Sequence, residues 1–226
     1  MTQTGSTALI VAGWVAVATG VLCALWITWD IVVAGHRQRM AIMNAVWPIT
    51  ALYLGPLAVW AYVRREQLDE RMPDWWPTAK GVSHCGAGCT LGDIVGEWLV
   101  YVTAWTIPLF GAHDADTLMA MYVASFTLAW LFGVAFQYFS IVPMRDDLGP
   151  LGGIWAAVKA DTLSIIAFQI GLFGVMALVH LVVWQPPLSV ASPAYWMTMQ
   201  IGMAVGFVTA WPVNSWLVRV GWKERM

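Results

Sequence analysis

The fold is decided by a long apolar stretch, residues 154–184, which reads IWAAVKADTLSIIAFQIGLFGVMALVHLVVW. About 20 apolar residues are enough to cross the hydrocarbon core of a bilayer, and this stretch is longer than that. Five further windows of the same kind lie on either side of it. The six predicted membrane helices occupy residues 7–33, 41–63, 91–110, 117–142, 154–184 and 193–218.

The composition excludes an ordinary soluble domain. The 226 residues are 60% hydrophobic and 11% charged, and the mean hydropathy is +0.68, whereas a typical globular domain is about one quarter charged. The formal net charge of -2 gives no reason to expect a nucleic-acid partner. We therefore predict an all-α polytopic integral membrane protein of the cell membrane, with residues 1–226 forming one transmembrane domain surrounded by the lipid bilayer.

The positions of lysine and arginine predict the orientation, because cytoplasmic segments are enriched in both. With six helices, one side receives the basic residues of the connection at 64–90, of the loop around Arg145 and of the carboxyl-terminal tail. The other side receives only Arg37 and Arg39. Both termini and the connection at 64–90 are therefore expected in the cytoplasm.

The most reactive side chains fall in residues 83–97, SHCGAGCTLGDIVGE. Cys85, Cys89, Asp93 and Glu97 recur every four residues, which places them along one helix face, and His84 adjoins the first of them. Thiolate and imidazole groups are ligands for Cu(I) and Zn(II). The sequence therefore predicts a copper or zinc site in which all five residues take part, at the cytoplasmic mouth of the third predicted helix. A structural interpretation is the alternative: the threonine and the aspartate of the Thr-x-x-Asp motif in this segment cap a helix and bind no metal.

A second set of polar or soft side chains lies inside the predicted helices or at their ends. It defines a candidate translocation path or polar centre: Gln137, Met144, Lys159, Asp161, Gln169 and His180. An unpaired ammonium is costly within a membrane, so Lys159 is expected to pair with Asp161, Asp93 or Glu97. A packing seam of hydrogen-bonded side chains is the alternative.

Imidazole and thioether groups also gather on the predicted outer side. They define a candidate outer copper site: His36, Met40, Met43, His113, Met197 and Met199. Such ligands suit copper, although methionine is also an ordinary filler of apolar gaps, so that packing remains the alternative.

Three motifs, SHCGAGCTLGD, FQYFSIVPM and KADTLSIIAFQIG, resemble those of the bacterial and archaeal membrane family catalogued as domain of unknown function 4396. The resemblance covers about residues 83–179. It implies that the working part contains the following residues: His84, Cys85, Cys89, Asp93, Gln137, Lys159 and Asp161. The resemblance supplies no substrate.

Three functions fit these patterns. The first is a transporter or permeation path for a soft or borderline metal ion, which would be passive, ion-coupled or partner-dependent because no ATP-binding motif is present. The second is a membrane oxidoreductase in which Cys85 and Cys89 cycle between dithiol and disulfide, or in which a bound metal is redox-active. The third is a non-catalytic subunit of a membrane complex. A homo-oligomer or a membrane-complex partner is compatible with each of them.

Overall fold

The computed structural model describes residues 7–145, 149–184 and 187–223, and of Met144 it describes the backbone only. The described part is α-helical and contains no β-strand. Its helices are α1 (Thr7–Val32), α2 (Met43–Leu54), α3 (Pro56–Val63), α4 (Arg65–Arg71), α5 (Trp76–Thr103), α6 (His113–Ile141), α7 (Pro150–Leu178) and α8 (Pro193–Arg219). A 3-10 turn, Val142–Met144, follows α6, and a π-helical turn, Val179–Val183, follows α7.

Four helices are long and apolar enough to cross a membrane by length and composition, namely α1, α6, α7 with its π-helical turn, and α8. They correspond to the predicted windows at 7–33, 117–142, 154–184 and 193–218. The predicted number of six is therefore wrong. The two remaining windows depart from the prediction for separate reasons.

The window at 41–63 is not one helix but a helical hairpin. Gly55 separates α2 from α3 with a φ of 52°, which suits glycine, and Pro56 then starts α3. The rings of Trp47 in α2 and Tyr62 in α3 lie 5.8 Å apart. A continuous helix would separate them by about 22 Å at about 1.5 Å per residue, so α3 must fold back along α2.

The hairpin begins and ends at the same end of the protein as the last turn of α1. Tyr62 Oη donates a 2.7 Å hydrogen bond to Asp30 Oδ2 in that turn, and His36 Nδ1 lies 3.0 Å from Asp30 Oδ1. The tip of the hairpin, Gly55, faces Thr19 near the middle of α1. The hairpin therefore reaches only about halfway along α1, and the chain returns to the end from which it came.

The window at 91–110 is the second half of a longer helix, α5, which begins at Trp76 with Pro77 in its first turn and ends before Ala104 in the left-handed region (φ 50°). The predicted connection at 64–90 consequently contains α4 and the first half of α5. Glycine, cysteine and histidine made this half look like a loop. It is helical because α2, α6, α7 and α8 enclose it.

Side-chain contacts fix the directions of the long helices. α5 and α6 are antiparallel, because His84 contacts Ser140 and Gly96 contacts Ser125. α7 and α8 are antiparallel as well, since Ser164 contacts Asn214 while Leu172 faces Gly202, nearer the start of α8.

α1 and α8 run parallel. Gly13 faces Ala194 near the start of α8, and Gly20 faces Gln200 further along it. Consequently the ends of α1, α6 and α8 lie together with the starts of α5 and α7, and Thr7 lies at the opposite end from Arg219. The prediction that both ends of the chain lie on the same side is therefore wrong for the described residues.

The two ends differ in charge. We call the end where α5 begins the basic end, because every lysine and arginine in the described part of the chain lies there. We call the end where α6 begins the acidic end; it carries Asp114 and Asp116 in the first turn of α6, where acidic side chains favour the helix dipole. The predicted placement of Arg37 and Arg39 opposite the other basic residues is wrong, because the hairpin that follows them returns the chain to the end where they lie.

Candidate functional site

Helix α5 is the centre of the protein and carries the predicted metal residues within its buried length. His84, Cys85, Cys89, Asp93 and Glu97 are each between 0% and 2% exposed. They do not lie at a helix mouth, as the sequence suggested, but along the interior of the bundle. Most of the buried polar atoms without a hydrogen-bond partner in the described residues belong to these side chains or their neighbours.

At the basic end of this centre lies a buried ion pair. Lys223 Nζ lies 3.1 Å from Asp161 Oδ1, and the two side chains are 0% and 1% exposed. The same ammonium donates to Asn214 Oδ1 at 2.8 Å and to the Gly81 carbonyl at 3.1 Å, so all three of its donors are used. Asn214 Nδ2 in turn donates to Ser164 Oγ at 2.7 Å.

The prediction that Lys159 pairs with a carboxylate of this centre is wrong. Lys159 is exposed, and its ammonium lies over the Trp222 ring, 4.2 Å from the ring centre. The cation that the buried Asp161 requires comes instead from Lys223, in the tail after α8. A lysine so close to the chain end gave no sequence signal that it would be buried.

His84 is engaged by α6 rather than by the thiols. Its Nδ1 lies 3.3 Å from Ser140 Oγ, and Ser140 also donates to the Phe136 carbonyl at 3.1 Å. The imidazole is 1% exposed. His84 therefore links α5 to α6 at the level of the ion pair.

The two thiols occupy the middle of α5. Cys85 and Cys89 are free, fully buried and close enough to interact with each other and with Tyr53 of the hairpin. The Tyr53 hydroxyl fills the space that Gly86 leaves; the hydroxyl of Thr50 lies near it, but the two make no hydrogen bond of good geometry. Sequence reasoning missed Tyr53; the signal was a tyrosine two residues before the Gly-Pro pair that interrupts its apolar window.

The two carboxyls occupy the half of α5 that faces the acidic end. Asp93 Oδ1 accepts a 3.1 Å hydrogen bond from Gln169 Nε2. Glu97, one turn further on, is faced by the hydroxyls of Ser125 and Tyr195. Neither hydroxyl makes a hydrogen bond of good geometry in the described residues, and the second oxygen of each carboxyl is also without a partner there.

The path residues divide between the two halves of the bundle. Gln137 is fully buried, and both atoms of its amide lack a partner among the described residues. Gln169 joins the carboxyl region through Asp93. His180 lies near the acidic end, with its ring centre 5.4 Å from that of Tyr195, whereas the side chain of Met144 lies outside the described part.

The five predicted metal residues do not converge on one point. Among the described residues, no three His, Cys, Asp or Glu side chains are placed to hold a metal ion together. His84 contacts Ser140, Asp93 contacts Gln169, and Glu97 lies two turns beyond Cys89. The only pair of the set with soft ligand atoms side by side is Cys85 and Cys89.

The predicted outer copper site is divided between the two ends, because the hairpin returns the chain to the basic end. Met40 and Met43, with Met72, line a cavity of about 590 Å³ at the basic end, and His36 lies there beside Asp30. His113 and His180 line a cavity of about 150 Å³ at the acidic end. Met197 and Met199 follow the start of α8, and Met199 is buried in the core.

Residues 74–223 match the sequence profile of a family described as a domain of unknown function, DUF4396. The match begins just before α5 and ends at Lys223, so it includes α5 to α8 and leaves out α1 and the hairpin. Comparisons with curated proteins and with solved structures found no match.

Proposed function

Because the chain belongs to the DUF4396 family, and because the matched region holds both thiols and both carboxyls of α5, we propose that α5 to α8 form a membrane-embedded path for a soft metal ion, Cu(I) in particular. One observation carries the proposal: two free thiols are fully buried at the middle of the central helix.

The proposed membrane arrangement has five crossings. α1, α6, α7 and α8 are long and apolar enough, and α5 runs beside α6 with 28 residues, about 42 Å at about 1.5 Å per residue. The α2–α3 hairpin enters and leaves on one side, where irregular backbone is tolerated because it is packed against protein. The amino and carboxyl termini then lie on opposite sides.

The proposed orientation places the basic end in the cytoplasm, because lysine and arginine are enriched there. The acidic end and the amino terminus then face outward. Among the residues that the structure describes, this arrangement leaves no lysine or arginine on the outer side, whereas the six-helix arrangement left two.

Cysteine labelling of intact cells tests this arrangement. In a Cys23→Ser background, we expect Ala112→Cys to react with a membrane-impermeant maleimide from outside, because Ala112 is exposed at the acidic end. Ala34→Cys and Gln67→Cys, exposed at the basic end, should react only after permeabilisation. Labelling of Ala34→Cys together with Ala112→Cys, but not Gln67→Cys, would instead support six crossings.

The choice of Cu(I) follows from the two thiols, because His84, Asp93 and Glu97 do not converge with them on one point. Zinc prefers four ligands in tetrahedral geometry, whereas soft thiolates and thioethers select Cu(I). Cys85 and Cys89 share their buried cluster with Met176, Met199 and Met203, and the sulfur of Met203 lies 3.7 Å from the hydroxyl of Thr90, next to Cys89.

A cavity lined by possible copper ligands lies at each end of the proposed path. The cavity at the acidic end contains two imidazoles and the thioether of Met121, and the cavity at the basic end contains three thioethers, together with acidic and basic side chains. Thioether and imidazole groups bind copper without the tight retention of paired thiolates. Such groups suit the entry and exit of the ion.

Competition of purified protein with a chromophoric Cu(I) chelator tests the proposal. We expect the wild type to bind about one Cu(I) per chain, with Cys85→Ser and Cys89→Ser each losing stoichiometric binding, because two-sulfur coordination needs both thiolates. Cys23→Ser is the matched control, since Cys23 lies in α1, outside the family match, and should bind as the wild type does. Unchanged Cu(I) binding in Cys85→Ser/Cys89→Ser would contradict the proposed site.

A second function uses the same two sulfurs. Because Cys85 and Cys89 are free and close together, they are also placed for a two-electron oxidation to a disulfide, with the electrons and two protons passing to a lipid quinone. Quinone-dependent loss of two free thiols in the wild type, without Cu(I) binding, would favour this function over metal transport.

A further inference from the structure

The carboxyl of Glu97 is buried far from any basic side chain that the structure describes. It is 2% exposed, and Glu97 Oε2 has no hydrogen-bond partner in the described residues. Every lysine and arginine that the structure describes lies at the basic end, so none neutralises Glu97. An ionised carboxylate without a cation is costly in such surroundings.

The groups that face Glu97 come from three helices. Asp93 faces it from α5, Tyr122 and Ser125 from α6, and Tyr195 from α8. α7 contributes Gln169 through Asp93. These groups carry hydroxyl or amide oxygens and no charge, except Asp93, which is itself an acid. None of them compensates a negative charge, so the surroundings favour Glu97 with a bound proton over ionised Glu97.

A row of groups joins Glu97 to the acidic end. The Tyr195 hydroxyl, 1% exposed as a residue, faces Glu97. The Tyr195 ring lies 5.4 Å from the His180 ring. His180 lines the cavity of about 150 Å³ that also contains His113 and Asp114. Hydroxyl and imidazole groups can both accept and donate a proton.

We propose that Glu97 is a proton-binding site that exchanges with the acidic end through Tyr195 and His180. That this proton drives ion movement along α5 rests on the proposed function. The binding of the proton by Glu97 does not. In each exchange the proton leaves the Glu97 carboxyl for the Tyr195 hydroxyl, which passes its own proton to His180. The reverse order loads the carboxyl.

Infrared spectroscopy of the purified protein without added metal tests proton binding directly. We expect a carbonyl band of protonated carboxylic acid at neutral pH, part of which is lost in Glu97→Gln. Asp114→Asn is the control, because Asp114 is exposed at the acidic end and should not contribute to the band. An unchanged band in Glu97→Gln would overturn the proposal, as would loss of the Glu97 part on addition of Na⁺ at constant pH, which would identify a sodium site instead.

Two tyrosines near Glu97, Tyr122 and Tyr195, test the route. The Tyr122 hydroxyl is committed to the Phe173 carbonyl at 2.7 Å, whereas that of Tyr195 faces Glu97 and is engaged by no other group in the described residues. On transfer to heavy water, the deuterium shift of the Glu97 band should be slowed in Tyr195→Phe and unchanged in Tyr122→Phe. Equal rates in both variants would overturn the route. Because no copper is present, these results are independent of whether Cys85 and Cys89 bind it.

Discussion

Lys223→Met is expected to lower the free energy of unfolding by about 3 to 5 kcal/mol, the usual cost of removing one partner of a buried ion pair. The ammonium of Lys223 satisfies Asp161, Asn214 and the carbonyl of Gly81 at once. Methionine fills similar volume but leaves Asp161 charged and buried. Reversible denaturation in mixed micelles, followed by the fluorescence of the many tryptophans, measures the loss.

The double variant Lys223→Met/Asp161→Asn separates charge from packing. Because the uncompensated carboxylate is then gone, we expect the double variant to be more stable than Lys223→Met, which is the non-additivity of directly coupled residues. Lys159→Met is the matched control: its ammonium only covers the Trp222 ring at an exposed position, and about 1 kcal/mol or less is expected. Equal losses in Lys223→Met and Lys159→Met would show that the ion pair does not hold α5, α7 and α8 together.

The long apolar helices could be predicted from the sequence because their signal is local. Each of α1, α6, α7 and α8 is a continuous apolar run that needs no knowledge of its neighbours. The window at 41–63 is just as apolar, but hydropathy does not report the direction of the chain. Gly55 and Pro56 are the signal for its reversal, and a continuous helix in their place would put Arg37 and Arg39 at the opposite end from the basic residues that follow the hairpin.

The candidate site was predictable in its α5 residues but not in their partners. The four-residue spacing of Cys85, Cys89, Asp93 and Glu97 correctly indicated one helix face. It could not show that the spacing distributes them along some 18 Å of helix, at about 1.5 Å per residue, so that each meets different neighbours. Those neighbours come from remote parts of the chain, where a single tyrosine or lysine carries no local signal.

A second four-residue repeat, Gly88, Gly92 and Gly96, sits one position before the reactive one. The three glycines face α6, and a Cβ atom on Gly88 or Gly96 would lie 2.7 Å from the α6 backbone, at Gly133 and Ser125 respectively. Small residues at this spacing let two membrane helices approach closely. Because Cys89, Asp93 and Glu97 each follow one of these glycines, the contact that brings α6 close also sets the surroundings of the reactive face.

Gly92→Ala is expected to cause the largest loss from a single methyl group. Its Cβ would overlap the backbone of Ala129, and neither backbone can turn away as a side chain could. Overpacking costs about 1 to 3 kcal/mol and occasionally more, and we expect the upper part of that range or loss of the folded protein. Thermal unfolding monitored by size-exclusion chromatography in detergent measures the effect.

Gly174→Ala is the control for this substitution. Gly174 lies in α7 with nothing within 4 Å of an added Cβ, so alanine there should be neutral or stabilise the helix by up to about 1 kcal/mol. If Gly92→Ala were as stable as Gly174→Ala, α5 and α6 would not be in backbone contact. Gly96, one turn after Gly92, packs against the backbone of Ser125 in the same helix contact. Without that contact, the position of Glu97 beside Ser125 would have no support.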